Sequence, residues 1–190
     1  VKRLKTGVEE WNKWRRENPE AKIDVDGADL GEIDLYNANL SKANLIVAHF
    51  NKADLREANI SKADLNGADL IGTNLKGADL REANLSETDL RGASFREADL
   101  RGANFSEADL GRADLSNSKL EGAIFRRTYL TSINFNGAYF GKANLTGGRL
   151  NDTTFADNDL SDSIGLETIE HGGHPVSARI RFNVQKGISQ

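Results

Sequence analysis

The chain runs to 190 residues, of which 38% are hydrophobic and 28% charged, with a formal net charge of −4 and no cysteine. That composition suits one domain and excludes disulfides, thiol chemistry and an overall basic footprint for nucleic acid. No apolar run approaches the roughly 18 residues of a membrane span, and the basic start Val1-Lys2-Arg3-Leu4-Lys5 leads into no apolar stretch of the kind a signal peptide needs. A cytoplasmic location is expected; because the chain contains no Met, a native beginning upstream, with a targeting segment of its own, stays open.

Residues 1–22 have a character of their own. Val8, Trp11 and Trp14 recur at helical spacing, Thr6 and Glu9 fit a capping box, and Asn18-Pro19 is a stop, so the sequence predicts a helix over residues 7–17. The expected role is a lid on whatever follows; a Trp-bearing helix that docks on a partner is the competing reading.

From Ile23 to Asp162 every fifth residue is a large apolar one, and the phase never slips. The 28 pentads are centred on 19 Leu, seven Phe, Ile60 and Val25; Ala stands two residues before the centre in 18 of them, and Asp or Asn directly before it in 20. A period of five fits neither regular element. On an α-helix five residues advance about 500°, so the stripe would wind around the whole surface. On an uninterrupted strand an odd repeat throws successive Leu residues to opposite faces. The chain must therefore turn once per pentad, with the Ala and Leu sites pointing inward from one short extended segment. None of the 56 inward positions is charged. Gly stands two residues after the centre in nine pentads, as at Gly67, Gly72 and Gly77, where a turn wants φ > 0.

Runs such as Ala53-Asp54-Leu55-Arg56-Glu57 and Ala98-Asp99-Leu100-Arg101-Gly102 resemble the A(D/N)LXX signature of the pentapeptide-repeat family. The resemblance implies an all-β fold, a right-handed quadrilateral parallel β-helix with four pentads per coil and about seven coils, preceded by a short N-terminal capping helix. At a strand spacing of roughly 4.8 Å such a rod is about 34 Å long in its repeat region. Its stability would be close to a sum over neighbouring coils. The chain then divides into a capping segment, 1–22, the β-helix, 23–162, and a C-terminal extension or cap, 163–190. The first segment is also similar to what precedes the repeats in some bacterial members, which favours the lid.

With four pentads per coil, residues 20 apart lie directly above one another. The outward positions of the faces centred on Val25, Leu30, Leu35 and Leu40 then sum to −3, −2, −3 and 0. Stacked Asp would repel at strand spacing, and the sequence often avoids it: below Asp24 come Asn44, Asp64, Asn84 and Asn104, which can hydrogen-bond along the stack. The Leu30 face is the least uniform. Asp69, Asp89 and Asp109 stack in three consecutive coils, Tyr129 stands over Arg149 at its end, and Arg126 and Arg127 lie just around the corner. These seven residues form the candidate partner-binding face, acidic in the middle and basic and aromatic at the end. The plainer reading is a solvated face whose acids are partly neutralised by Arg91 and Arg112. Ile46, Val47 and Ile71 occupy outward positions near one corner, either as a small apolar contact site or packed under the N-terminal segment.

Enzyme chemistry finds little support, so no catalytic residue, cofactor or metal is expected. The histidines are His49, outward, and His171 and His174 in a His-Gly-Gly-His run without Cys and too loosely framed to make a convincing metal site. Neither a phosphate-binding P-loop nor a Gly-Xaa-Ser-Xaa-Gly elbow occurs. The six Asn-Xaa-Ser/Thr sequons, at Asn39, Asn59, Asn84, Asn104, Asn144 and Asn151, read as by-products of the repeat. After Leu160 the phase is lost; Ala178, Ile180, Phe182 and Val184 alternate with polar residues as a half-buried strand would, which predicts an ordered extension along or over the last coil, with a disordered tail as competitor. The expected function is a rigid, monomeric protein-interaction scaffold or regulatory adaptor with an unidentified protein partner, no direct nucleic-acid binding and no membrane. The resemblance also implies an alternative, the imitation of DNA by relatives that bind DNA gyrase; a module of a larger multidomain protein is the third.

Overall fold

In a computed structural model, residues 1–171 are described. His174 and the alternating stretch 178–184 lie outside them. The repeat region is a β-helical solenoid whose parallel bridges join residues 20 apart, from Asp24 with Asn44 and Asp29 with His49 through to Asn144 with Ile164. A coil therefore takes four pentads, as the family resemblance implies.

Each pentad is built the same way. The central residue's N–H donates to the coil that follows, as Leu30 does to the His49 carbonyl (2.8 Å), and the residue before the centre donates back, as His49 does to Ala28 (2.9 Å). A tight turn then closes, with the Ala53 N–H on the Phe50 carbonyl at 2.9 Å. Its third residue has φ near +60°, the conformation a type II turn requires there. Gly67, Gly72 and Gly77 adopt it, as expected, but so do 18 non-glycine residues, chiefly Glu, Lys, Asn, Arg and Asp. Val47 is the exception, an apolar residue branched at Cβ held at φ +46°; a non-glycine backbone of this kind costs on the order of 1–3 kcal/mol.

The inward assignment holds along the rod: Leu35 through Leu145 at the pentad centres are sealed from solvent, with Ala at the partner sites. The first half of the core is mostly Leu. Towards the C-terminal end it becomes aromatic, with Phe105 stacked on Phe125 (5.0 Å, 2°) and Phe135 on Phe155 (5.2 Å, 16°), joined by edge-on Phe125 and Phe135. Thr73 and Thr128 take Ala sites without leaving an orphan donor, because their hydroxyls donate to the Phe50 and Phe105 carbonyls at 2.8 Å.

The Asp or Asn before each centre has a structural role that the sequence reading did not assign. All 20 accept, through Oδ1, the backbone N–H two residues on; Asp69 takes that of Ile71 (3.0 Å) and Asp109 that of Gly111 (2.9 Å). These are Asx turns, and they pin the corner that follows each Leu. The expected stacking bonds also form, from Asn44 to Asp24 (3.0 Å), Asn84 to Asp64 (2.8 Å) and Asn104 to Asn84 (3.2 Å). Five of the sequons gain a physical reason: in Asn39, Asn59, Asn84, Asn104 and Asn144 the same Oδ1 accepts both the N–H and the hydroxyl of the Ser or Thr two residues later.

Helix α1 spans Val8–Glu17 after a 3-10 turn, Leu4–Thr6. The capping box does not form. Thr6 belongs to the preceding turn and its hydroxyl donates to the Arg3 carbonyl (2.7 Å), leaving Gly7 as the N-cap. The buried stripe is Leu4, Trp11 and Arg15, with Val8 and Trp14 only partly covered. Trp11 Nε1 donates to the Asn39 carbonyl (2.8 Å), Asn12 bonds both the Asn37 carbonyl and the Asn39 N–H (2.8 Å each), and Arg15 reaches the Ser41 carbonyl (3.1 Å). The Asn39 N–H and carbonyl and the Ser41 carbonyl are groups that a preceding coil would satisfy, so the helix supplies the missing neighbour of the Leu40 pentad.

At the other end the ladder outlasts the Leu period. Strands β1 (Tyr129–Thr131), β2 (Arg149–Asn151) and β3 (Glu170–His171) pair in parallel, and the step from Arg149 to Glu170 is 21 residues rather than 20. The extra residue is absorbed in a 3-10 turn, Leu166–Thr168, where the Thr168 hydroxyl accepts the Gly147 N–H (2.9 Å). Gly165 permits the slip: at φ +81° it lies so close to the coil before it that a Cβ would stand 2.6 Å from the Thr146 Cα.

Candidate functional site

The register places Asp29, His49, Asp69, Asp89, Asp109, Tyr129, Arg149 and Glu170 in one outward column. Five of the seven candidate residues therefore stand in line at strand spacing, and Arg126 and Arg127 occupy the corner that leads into Tyr129.

The acidic middle is uneven. Asp69 caps its Asx turn and forms no ion pair among the described residues, so its charge faces outward. Asp89 is gripped by Arg91 through Nε (2.8 Å) and Nη2 (2.6 Å), and the same guanidinium reaches Asp109 at 3.9 Å. That hydrogen bond holds the Asp89 carboxyl below the usual aspartate range, against an opposing push from partial burial. Arg112, expected to share the neutralisation, makes no ion pair among the described residues.

The end of the column is a stack. The Arg149 guanidinium lies over the Tyr129 ring (4.9 Å to the centroid), donates to its hydroxyl (2.7 Å) and pairs with Glu170 (3.0 Å). Tyr129 is 44% exposed, so the ring still offers a face to solvent. Arg127 points along the rod to Glu107 (3.4 Å), whereas Arg126 is exposed without an ion pair among the described residues. Glu170 and Glu107 were not singled out in the sequence. Glu107 was findable from the 20-residue register with Arg127; Glu170 was hidden by the slip at Gly165.

Among the described residues no group of three or more His, Cys, Asp or Glu could hold a metal ion, and no helix is long and apolar enough to cross a membrane. The same Asp-Leu-Arg grip seen at Asp89 recurs at Asp54, Asp79 and Asp99, so the repeated acids are spent on turns and local arginines.

The family model for Pentapeptide repeats matches in eight copies over residues 23–56, 42–77, 78–117, 108–147 and 133–164. The chain belongs to the pentapeptide-repeat family. Among solved structures it is similar to Rfr23, a pentapeptide repeat protein from the cyanobacterium Cyanothece 51142 (27% identity over 80% or more of both chains: 81% of this one and 97% of the other, TM-score 0.40). It is also similar to AT2G44920, a pentapeptide repeat protein of the Arabidopsis thaliana thylakoid lumen (34% identity, 65% and 72% coverage, TM-score 0.35). A third likeness is to QnrB1, a plasmid-mediated fluoroquinolone resistance protein (20% identity, 80% and 91% coverage, TM-score 0.39). No curated protein matches the chain.

Proposed function

We propose that this pentapeptide-repeat protein is a non-enzymatic interaction scaffold, a right-handed four-sided rod of about seven coils that works as a monomer in the cytoplasm and binds a protein partner through the Asp69 to Arg149 column. The observation that carries the reading is the column itself. One coil spacing at a time it runs from the outward charge of Asp69, through the arginine-bound Asp89, to the Tyr129 and Arg149 stack. A rigid ladder of unlike groups suits recognition of a folded surface, because little side-chain or backbone ordering remains to be done on binding.

The test is capture of partners from the source cell by wild type and by a variant carrying Asp69→Asn, Asp89→Asn, Asp109→Asn, Arg127→Ser and Arg149→Ser. Asn retains the Oδ1 that each Asx turn uses, so the rod is expected to melt near the wild-type temperature. A protein retained by wild type and lost by the variant is the expected result. Identical captures by both would remove this face from the function, and a stable dimer in sedimentation would overturn the monomer.

A further inference from the structure

The corner position that follows each centre by two residues holds positive φ from Gly27 to Asp157, at nine glycines and 18 other residues. Seventeen of those 18 are polar or charged. Val47 alone is apolar, and its branched Cβ suits that backbone worst of all. Val47 is 48% exposed, and its neighbours in the coils on either side are Gly27 and Gly67, which offer no side chain to cover it. The register is explicit: the Gly27 N–H donates to the Ile46 carbonyl and the Val47 N–H to the Asn66 carbonyl, each at 2.9 Å. The isopropyl group therefore stands above a flat glycine surface. Half-buried Ile46 lies beside it, and half-buried Ile71 lies across the His49–Asp69 column.

Carboxylates flank this corner on both sides, while Lys22, Lys42 and Lys62 stand two residues before Asp24, Asn44 and Asp64, with Lys62 turned to Glu82 at 3.5 Å. Asp24, Asp26, Asp29, Asp64 and Asp69 all stand within one coil of residues 44–49, and none of the five forms an ion pair among the described residues. The nearby Lys52 is turned to Glu32 at 3.8 Å. We infer that the Val47 corner is a docking point for a protein segment that presents an aliphatic side chain flanked by Lys or Arg. The aliphatic group covers Val47 and Ile46, and the flanking cations meet the ring of carboxylates. This rests on the scaffold reading above and supplies the chemistry of its partner, at a part of the rod distant from Arg127 and Arg149.

The test uses the full chain as bait for a displayed library of random peptides. Enriched peptides are expected to share an aliphatic residue between basic ones, and to bind wild type at least about ten-fold tighter than Val47→Asn or than the combined Asp24→Asn, Asp26→Asn, Asp29→Asn variant. Val47→Ile should retain them. Asn already stands at this corner position at residues 37 and 117, so Val47→Asn is expected to melt no lower than wild type, which separates lost binding from lost folding. Peptides that bind Val47→Asn as well as wild type would overturn the inference. So would a library that yields no enriched peptide, or a wild-type dimer that Val47→Asn dissolves, which would give the corner to a second copy of the chain. Acidic peptides that are lost only with Arg127→Ser and Arg149→Ser would overturn it while leaving the scaffold reading in place.

Discussion

At the scale of single residues, the Asp or Asn before each Leu is the most informative, because one side chain both turns the chain and ties coils together. Asn84 accepts the Ser86 N–H (3.2 Å) and hydroxyl (2.7 Å), receives Asn104 Nδ2 (3.2 Å) and donates to Asp64 (2.8 Å). Asn84→Ala is therefore expected to lower unfolding free energy in urea by about 1–2 kcal/mol. Asn84→Asp keeps the turn but sets a carboxylate against Asp64, so its loss should be present at neutral pH and shrink in acid; a loss unchanged from pH 7 to pH 3 would contradict the stacking account. The four Asp-Leu-Arg grips titrate with a definite sign. Asp54, Asp79, Asp89 and Asp99 are each held below the ordinary aspartate value, first by the hydrogen bond from the arginine two residues on. Their folded pKa values are depressed, so their contribution is fully present above the unfolded value of about 3.9 and is lost as pH falls through the folded ones. A variant with Gln at positions 56, 81, 91 and 101 should melt below wild type at pH 6, and the gap should close below pH 4. The gap should stay small, since the arginines are solvent-facing.

At the scale of elements, the period of five was enough to assign the inward face, because the chain must turn once per pentad to keep every Leu buried, whereas the 20-residue register came from the family resemblance and not from the period itself. What it could not reach are the places where a local contact replaces the repeat. Thr6 and Glu9 spell a capping box, yet a 3-10 turn takes Thr6 first. Arg15 lies outside the Val8, Trp11 and Trp14 spacing, yet it is only 6% exposed because the open coil edge offers it the Ser41 carbonyl. The step at Gly165 breaks the period without breaking the ladder, so Glu170 joins the candidate column unannounced. The column's other members were legible as a stack and Arg91 as a neutraliser of its acids, but that Arg91 closes on Asp89 at 2.6 Å while Arg112 makes no ion pair among the described residues depends on rotamers that spacing does not specify. The helix carries its own prediction. If it stands in for a missing coil, Trp11→Phe with Asn12→Ala leaves three backbone groups of residues 37–39 without partners. Coupling in a solenoid runs between neighbours, so hydrogen exchange should quicken over residues 37–45 and stay unchanged over residues 95–135. Uniform quickening along the rod would show that the helix supports the whole fold rather than its first coil.

At the scale of the whole molecule, the question is whether an elongated acidic rod can stand in for DNA, as the family resemblance offers. A mimic needs a continuous negative potential to compete for a basic groove, and that competition weakens with salt through the electrostatics that govern DNA binding itself. Here the formal net charge is only −4. Arg56, Arg81, Arg91 and Arg101 each lie 2.6 Å from an Asp of their own pentad, and Arg126, Arg127 and Arg149 make one end of the candidate column basic. These cations interrupt the potential within a Debye length, roughly 10 Å at 0.1 M salt. The protein is therefore expected to leave gyrase supercoiling unaffected at micromolar concentration, at low salt as well as high. Inhibition by the wild-type chain that fades as salt rises would favour mimicry over the scaffold. The variant with Gln at positions 56, 81, 91 and 101 sharpens the comparison, because it moves the formal net charge from −4 to −8 without touching the core. If charge density alone made a mimic, that variant would inhibit where wild type does not. The expected result is that neither inhibits, because the Val47 corner and the Tyr129 and Arg149 stack break the regular spacing of charge that a duplex backbone presents.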